Sequence, residues 1–299
     1  MNTIDMTENK AFDNIIRKKA DSLNPAVQFL KAEGNYIAPP QKFITGFDKA
    51  LEKENLFRQY ATVINLESSE GIVRGIESTG DAEIVEMNGA FPESNDTITT
   101  YDINIFKLAA LIKLKDNFVN DDKFDIENYL ERIFARRFGR AEERLFINGN
   151  GVDEPMGILT ADATITTEGD DIAYADIVNL YFSLKDEYAK NAVFIVNRRT
   201  AMTLRLITDT NGQPIWNMSD NTIFSRPVLI SEFMPDAESG NKAIAFGDLS
   251  FYLIMIRQPL RIKVLEQLFA RQYATGYAAS ERLDAKLIRS DAVSILQMK

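Results

Sequence analysis

The chain has 299 residues, 45% of them hydrophobic and 26% charged, with a formal net charge of −10 and neither histidine nor cysteine. That balance supplies apolar material for about two domains, and it is wrong for general phosphate attraction, which needs dense Lys and Arg. The missing residue types exclude disulfides, thiolate metal sites, Ser-His-Asp triads and the usual zinc ligands, which leaves an enzyme only carboxylates, Lys or Tyr to work with.

The opening stretch MNTIDMTENK lacks a basic segment followed by an apolar one. The longest apolar runs, such as FYLIMI at 251–256, are far too short to span a bilayer. The expectation is a product without a membrane partner that stays in the cell until lysis.

Residues 1–50 read as a polar arm with short helical pieces and a Pro39-Pro40 break. Residues 43–60 read as one amphipathic helix with Phe43, Phe47, Leu51 and Leu56 as apolar points. From Ala61 the chain turns rich in Ile and Val and is punctuated by Gly. Thr79-Gly80-Asp81 lies between two strand-like runs and predicts a hairpin with arms of about nine residues, roughly 30 Å each. Such a ribbon is marginal alone in water and must lean on another surface. Residues 97–115 predict one long strand with Leu108, Ala110, Ile112 and Leu114 on one face. The strongest helix follows over 124–147, with Ile126, Leu130, Ile133, Phe134, Phe138, Ala141 and Leu145 on one side. It would be roughly 36 Å long. Further on, 173–190 predicts a helix with Ile177, Val178, Tyr181 and Leu184 inward. Residues 192–196 predict a buried strand, and 197–207 a helix capped by Asn197. Residues 208–216 predict a turn ending on Trp216, and strands are expected at 227–232, 243–247, 251–256, 260–267 and 269–282. No fixed repeat or low-complexity tract is visible.

The stretch LFINGNGVDEPMGILT, 145–160, poses a choice between a phosphate-cradling loop and a helix exit. Phosphate loops precede a helix, where free N–H groups point outward. Asn148-Gly149 falls where the long helix must stop, and Asn and Gly tolerate a left-handed C-terminal turn. The exit reading is preferred. The acid pairs Glu142-Glu143, Asp153-Glu154 and Asp170-Asp171 suit Mg²⁺ or acid–base work in principle, but helix faces and termini carry such acids ordinarily. No catalytic, cofactor or metal residue is assigned. Arg132, Arg136, Arg140 and Arg144 recur every four residues as an oblique row. Either they are a solvated face pairing locally with Glu131 and Glu143, or they meet an acidic partner. The chain contains one: between Glu67 and Asp96 there are eight acids and a single base, Arg74.

The order of features is then informative. A helical arm leads to a hairpin, a strand and a long helix ending in Asn-Gly, followed by EPMGIL, FIVNRRTAMTLRLITDTNGQPIW, RPVLISEFMP and FGDLSFYLIMIRQPLRI. From about Tyr36 to the C-terminus this resembles the major capsid proteins of tailed bacteriophages, the Hong Kong 97-type fold. The resemblance implies an α+β structural protein of the virion. It would self-assemble through hexamers and pentamers into an icosahedral shell in the bacterial host cytoplasm, around double-stranded DNA held without sequence-specific binding.

The implied divisions are an N-terminal arm and lead-in helix over 1–65, an extended hairpin loop over 66–100, a peripheral domain over 101–159 plus 249–283 with the long helix as its spine, and an axial domain over 160–248 plus 284–299. Asn148, Gly149, Gly151, Pro155 and Gly157 would be the hinge between domains. Glu77, Asp81, Glu83 and Glu86 of the hairpin and Arg132, Arg136 and Arg140 of the helix would meet between subunits.

Two departures stand out. Many relatives carry an N-terminal scaffolding segment, whereas here the arm begins almost at once. Scaffolding is then a separate protein, expected as a partner beside the portal, or the segment is missing from this chain. Some relatives also cross-link a loop Lys, but Phe91 precedes Pro92 and no Lys occurs between Lys53 and Lys107. Two other functions remain open: an encapsulin-type compartment shell, whose members usually have a shorter hairpin, and a carboxylate- or Mg²⁺-dependent enzyme.

Overall fold

A computed structural model describes residues 3–20, 24–32, 36–66, 72–77 and 97–299. The arm holds α1 (Thr3–Ile16), α2 (Pro25–Leu30), β1 (Lys31–Ala32) and β2 (Tyr36–Ile37). α3 (Gln41–Glu54), α4 (Leu56–Tyr60) and β3 (Thr62–Asn65) follow. The ribbon strands β4 (Ile72–Glu77) and β5 (Thr97–Asp102) lead into β6 (Phe106–Lys115), α5 (Asp116–Val119) and the 23-residue helix α6 (Ile126–Asn148). Next come β7 (Ile165–Thr166), α7 (Tyr174–Ser183), α8 (Asp186–Ala189), β8 (Val193–Val196), α9 (Arg198–Leu206), β9 (Trp216–Asn217), β10 (Thr222–Ile223), β11 (Arg226–Ile230) and β12 (Lys242–Gly247). Two long strands, β13 (Tyr252–Leu265) and β14 (Ala274–Leu287), precede the closing β15 (Val293–Gln297).

These strands form two main sheets. In the first, β13 and β14 pair antiparallel and β6 lies antiparallel along the free edge of β14. The other edge of β13 takes β3 in parallel at its start and β2 further along. The second sheet has the order β7-β15-β12-β8-β11-β10-β9. All four residues of β8 are buried, as expected of a central strand covered on both faces.

Three apolar clusters hold the layers. In one, Leu260, Ile262, Tyr277, Ile112 and Leu114 of the first sheet meet Phe43, Phe47 and Leu51 of α3 and Leu130, Phe134 and Phe138 of α6. In another, α7 and α9 cover the second sheet through Ile177, Leu180, Ala201 and Leu204. The third joins the two sheets: Phe146 and Ile147 at the end of α6 pack with Phe57, Tyr252, Ile195, Ala245 and Ile295. Truncating a buried Phe such as Phe146 typically costs about 3–5 kcal/mol, so this central cluster couples the layers strongly.

The sequence reading holds for α6, for β8, for α9 with Asn197 accepting from Thr200 N at 2.7 Å, and for the alternating face of β6. Several boundaries differ. The single helix expected over 43–60 is two, because Asn55 leaves helical geometry (φ −136°) to cap α4 through Phe57 N. The helix expected over 173–190 breaks at Leu184, whose backbone is extended and whose side chain stays buried. The strand expected over 97–115 is likewise two. Residues 97–102 pair with 72–77 in the ribbon, and 106–115 pair with β14. The expected strands at 251–256 and 260–267 are one strand with register shifts between Ile256 and Arg261, and 269–273 is a turn rather than the start of β14. Thr79-Gly80-Asp81 lies outside the described residues. The ladder partners of 72–77 are at 97–102.

The arm is built into the fold. Phe12 and Ile16 are buried, Tyr277 donates to Ile16 O at 2.7 Å, and Arg17 donates to the carbonyls of Asp121 and Phe124 at 2.9 and 2.7 Å. One acid opposes this packing. Burial pushes Glu127 of α6 up to about 7, with Asp13 and Asp125 adding to the rise and Lys42 and Arg17 working against it. The folded chain thus keeps a proton that the unfolded chain releases near 4.5. Stability contributed by this group falls as pH rises from about 4.5 to about 7 and stays lost above. Glu127→Gln should therefore raise the melting temperature above the parent's at pH 8, with the difference vanishing near pH 4. A difference independent of pH would contradict the assignment.

Candidate functional site: the helix exit and the groove between two helices

The exit of α6 is a closed knot of hydrogen bonds. Gly149 N donates to Leu145 O at 2.7 Å and Gly157 N to Gly149 O at 2.9 Å, while Met156 N reaches Ala285 O and Tyr252 Oη reaches Met156 O. Gly149 has φ −59°, so the left-handed turn expected there does not occur. Glycine is needed for another reason: a Cβ at this position would lie 2.0 Å from Pro155 O. The left-handed residue is Gly151, at φ +72°. Asn148 Nδ2 donates to Phe233 O, and Pro155 is buried. The N–H groups of Val152, Asp153 and Glu154 all point at Asn150 Oδ1, at 2.8–3.3 Å. Their donors are already taken, so the loop is an exit and offers no phosphate cradle. Asp153 is exposed and Glu154 half-buried. Among the described residues no group of three or more acids is placed to hold a metal ion, and no helix is long and apolar enough to cross a membrane.

The acid pair Glu142-Glu143, read from sequence as an ordinary helix-face feature, is buried. Arg58 Nε donates to Glu142 Oε2 at 2.9 Å, and Asn55 Nδ2 donates to the same oxygen at 2.8 Å. The Arg58 side chain is only 6% exposed and that of Glu142 is fully buried. Glu281 of β14 sits beside them. Burial, and then the Glu142 carboxylate, push its carboxyl well above the ordinary range. Glu143 accepts from Ser231 Oγ and from Leu56 N. The local pairing of Glu143 with the arginine row is therefore not what forms.

The row itself divides. Arg140 pairs with Glu232 and lies over the Phe233 ring, 5.6 Å from its centroid. It is engaged within the chain while about half of its side chain stays exposed. Arg137, outside the row, donates to Leu111 O at 2.6 Å. Arg132, Arg136 and Arg144 are exposed, and Arg132 and Arg136 make no ion pair with any described residue. Both line a groove of about 430 Å³ between α3 and α6, with Lys49 and Lys53 on its opposite wall and Glu54 and Glu131 as its acids. The periodicity of α6 revealed half of this basic surface. The two lysines belong to a helix 80 residues earlier, and only the α3–α6 packing, marked by the Phe47–Phe138 ring contact at 6.1 Å, brings them in. Of the hairpin acids, Glu77 stands opposite Thr97 at the end of the described ladder, and Asp81, Glu83 and Glu86 lie outside the described residues. The ribbon's root is fixed: Tyr101 Oη donates to Ile288 O, Asn104 N to Asp284 Oδ2 at 2.9 Å, and Lys286 Nζ to Asp102 O.

A long helix shared by two sheets, a β-ribbon rooted at the edge of one of them and a helical arm define the Hong Kong 97-type capsid architecture. The phage capsid family profile matches residues 34–298, and the chain belongs to that family. Among solved structures, the capsid of an empty GTA particle is 30% identical with a TM-score of 0.68, over 81% of this chain and 89% of that one. The capsid of the native GTA particle is 29% identical with a TM-score of 0.65, over the same shares. A structure from Microbacterium phage Oxtober96 has the same fold at 17% identity and a TM-score of 0.58, over 82% of this chain and 91% of that one. Comparison with curated proteins gave no match. The chain is a phage capsid shell protein, a structural role that makes an enzyme unneeded to explain its architecture.

The buried pair yields a direct test. Breaking one partner of a buried ion pair typically costs about 3–5 kcal/mol, whereas replacing both by apolar residues costs far less. Glu142→Ala should lower the unfolding free energy by about that amount in denaturant titration. Arg58→Met combined with Glu142→Leu should lose much less. Equal losses for the single and double variants would show that the charges do not act as a pair.

Proposed function

We propose that the chain is the major subunit of an icosahedral phage head, assembling through hexamers and pentamers around double-stranded DNA. The second sheet with α7 and α9 serves as the axial domain, the first sheet with α6 as the peripheral domain, and residues 148–157 as the hinge between them. The GTA capsids to which the chain is similar are described with C5 symmetry, which supports five-fold rings here. A scaffolding protein and a portal are the expected further partners in the head. The net charge of −10 keeps the shell from adhering to packaged DNA.

One observation carries the contact between subunits. The groove between α3 and α6 presents Arg132, Arg136, Lys49 and Lys53, and segment 67–96 carries eight acids against one Arg. The ribbon is rooted on β14, and the acids of segment 67–96 are proposed to meet the groove of a neighbour. Each exposed pair contributes only about 0–1 kcal/mol, but the contact repeats at every subunit. Salt weakens it, because the Debye length is only about 8 Å at physiological ionic strength. Negative-stain microscopy of the purified chain should show shells or rings. Arg132→Glu with Arg136→Glu should leave the circular dichroism spectrum unchanged and abolish assembly, and adding Glu83→Lys with Glu86→Lys should restore part of it. Normal assembly of the arginine variants at low salt would refute the contact.

A further inference from the structure

A second surface is unaccounted for by the hairpin contact. On α9, Met202 and Leu206 are 68% and 73% exposed, and Ile230 at the end of β11 is 45% exposed. These side chains line a groove of about 880 Å³ together with Arg198, Arg199 and Arg205. Single exposed apolar residues are ordinary, but three that share one groove mark an interaction site. Arg199 is neutralised by Asp236 at 2.8 Å. Arg205 lies over the Trp216 ring, 4.8 Å from its centroid, and Arg198 is exposed, so the rim stays basic.

A second copy meeting this groove with the same groove would set arginines against arginines, which is unfavourable. The partner surface must be acidic around an apolar centre. The same half of the molecule has one. Phe182 of α7 is 76% exposed. Exposed Asp170 and Asp171 precede α7, and exposed Asp186 and Glu187 follow it, while Lys185 between Phe182 and Asp186 is paired with Asp291 at 2.7 Å. The helix is about 15 Å long, so exposed acids lie beyond both of its ends. α7 packs on β7 and β15, at one end of the strand order of the second sheet. Ile230, which borders the α9 groove, lies in β11, and Trp216, under Arg205, lies in β9, both towards the other end.

We propose that the α9 groove of one copy receives Phe182 and its flanking acids from α7 of the next copy, and that this contact closes the capsomer ring. Two different surfaces on one chain make a head-to-tail contact, which generates a ring when the rotation closes. Phe182 fills the apolar floor formed by Met202, Leu206 and Ile230, and the rim arginines face the carboxylates. The inference rests on the shell reading above and specifies which surfaces join within a capsomer.

The chain lacks cysteine, which makes the test clean. Met202→Cys and Phe182→Cys are introduced together, and assembled particles are treated with a short bis-maleimide and run on a denaturing gel. A ladder ending at five and six chains, with the cross-link mapped between positions 202 and 182, is the expected result. Met202→Cys alone should give single chains, and dimers from it would show that the groove pairs with itself and overturn the proposal. Particles that yield no ladder overturn it while leaving the shell reading intact. A parent chain that forms neither rings nor shells overturns both. As a second measurement, Leu206→Glu changes an exposed side chain only and should cut particle yield by roughly tenfold or more, as for a residue central to an interface, with an unchanged circular dichroism spectrum. Full yield from that variant would also overturn the docking.

Discussion

The buried pair of Arg58 and Glu142 is the constraint on which the rest of the structure depends. Burying two charges has a desolvation cost of several kcal/mol per ion, and attraction offsets it only when the geometry is good and remaining polar atoms are satisfied. Here that geometry fixes four elements at one point. Asn55 ends α3 and caps α4, Arg58 comes from α4, Glu142 from α6, and Glu281 from β14. Sliding α3 along α6 would separate Asn55 and Arg58 from Glu142 and strand a buried carboxylate. The ion pair sets the register of the two helices. It matters beyond the interior, because β3 starts two residues after α4 and leads directly to the ribbon. The direction in which the ribbon leaves the molecule follows from where α4 is pinned.

The same register creates the basic groove. Lys49 and Lys53 face Arg132 and Arg136 only because α3 lies against α6 in this alignment. Four cations on one surface would repel each other in an isolated subunit, and Glu54 and Glu131 offset them incompletely. Burial, then Asp125, raise the Glu131 carboxyl from its ordinary value. An acidic segment from another chain, as proposed above, would relieve the repulsion among the cations.

Periodicity made α6, β6, β8 and α9 legible, because each is long or wholly buried and one pattern dominates its sequence. Breaks were harder to see. Asn55 and Leu184 interrupt helices without Gly or Pro, since Asn55 gives up helix geometry to bond Glu142 and Leu184 turns to stay in the core. The division at 103–105 was hidden because both flanking segments favour strand, and only their partners differ. Short strands such as β7, β9 and β10 carry two residues each and have no pattern to read. For the candidate site, the arginine row and the acidic hairpin were visible as charge patterns. The engagement of Arg140 by Glu232, the burial of Glu142 and Glu143, and the lysines opposite the row are consequences of packing between distant segments. The glycine at 149 was noticed for its conformational freedom, yet its role is to let a carbonyl approach.

Net charge alone would class this chain as uniformly acidic, and that is misleading for assembly. Exposed arginines form patches on α6 and α9, and exposed acids flank α7, while segment 67–96 carries eight acids against one Arg. On the proposed reading, the contacts between copies join unlike patches, because like-charged surfaces repel. Such contacts are directional, which selects rings and closed shells over two-fold dimers. They are also weak individually and screened by salt. A shell needs that weakness, because subunits that join in the wrong place must separate before the lattice grows past them. Apolar area alone, being non-directional, would bind as firmly in the wrong register as in the right one. Segregated charge around small apolar centres supplies direction at low strength per contact, and repetition over the lattice supplies the total.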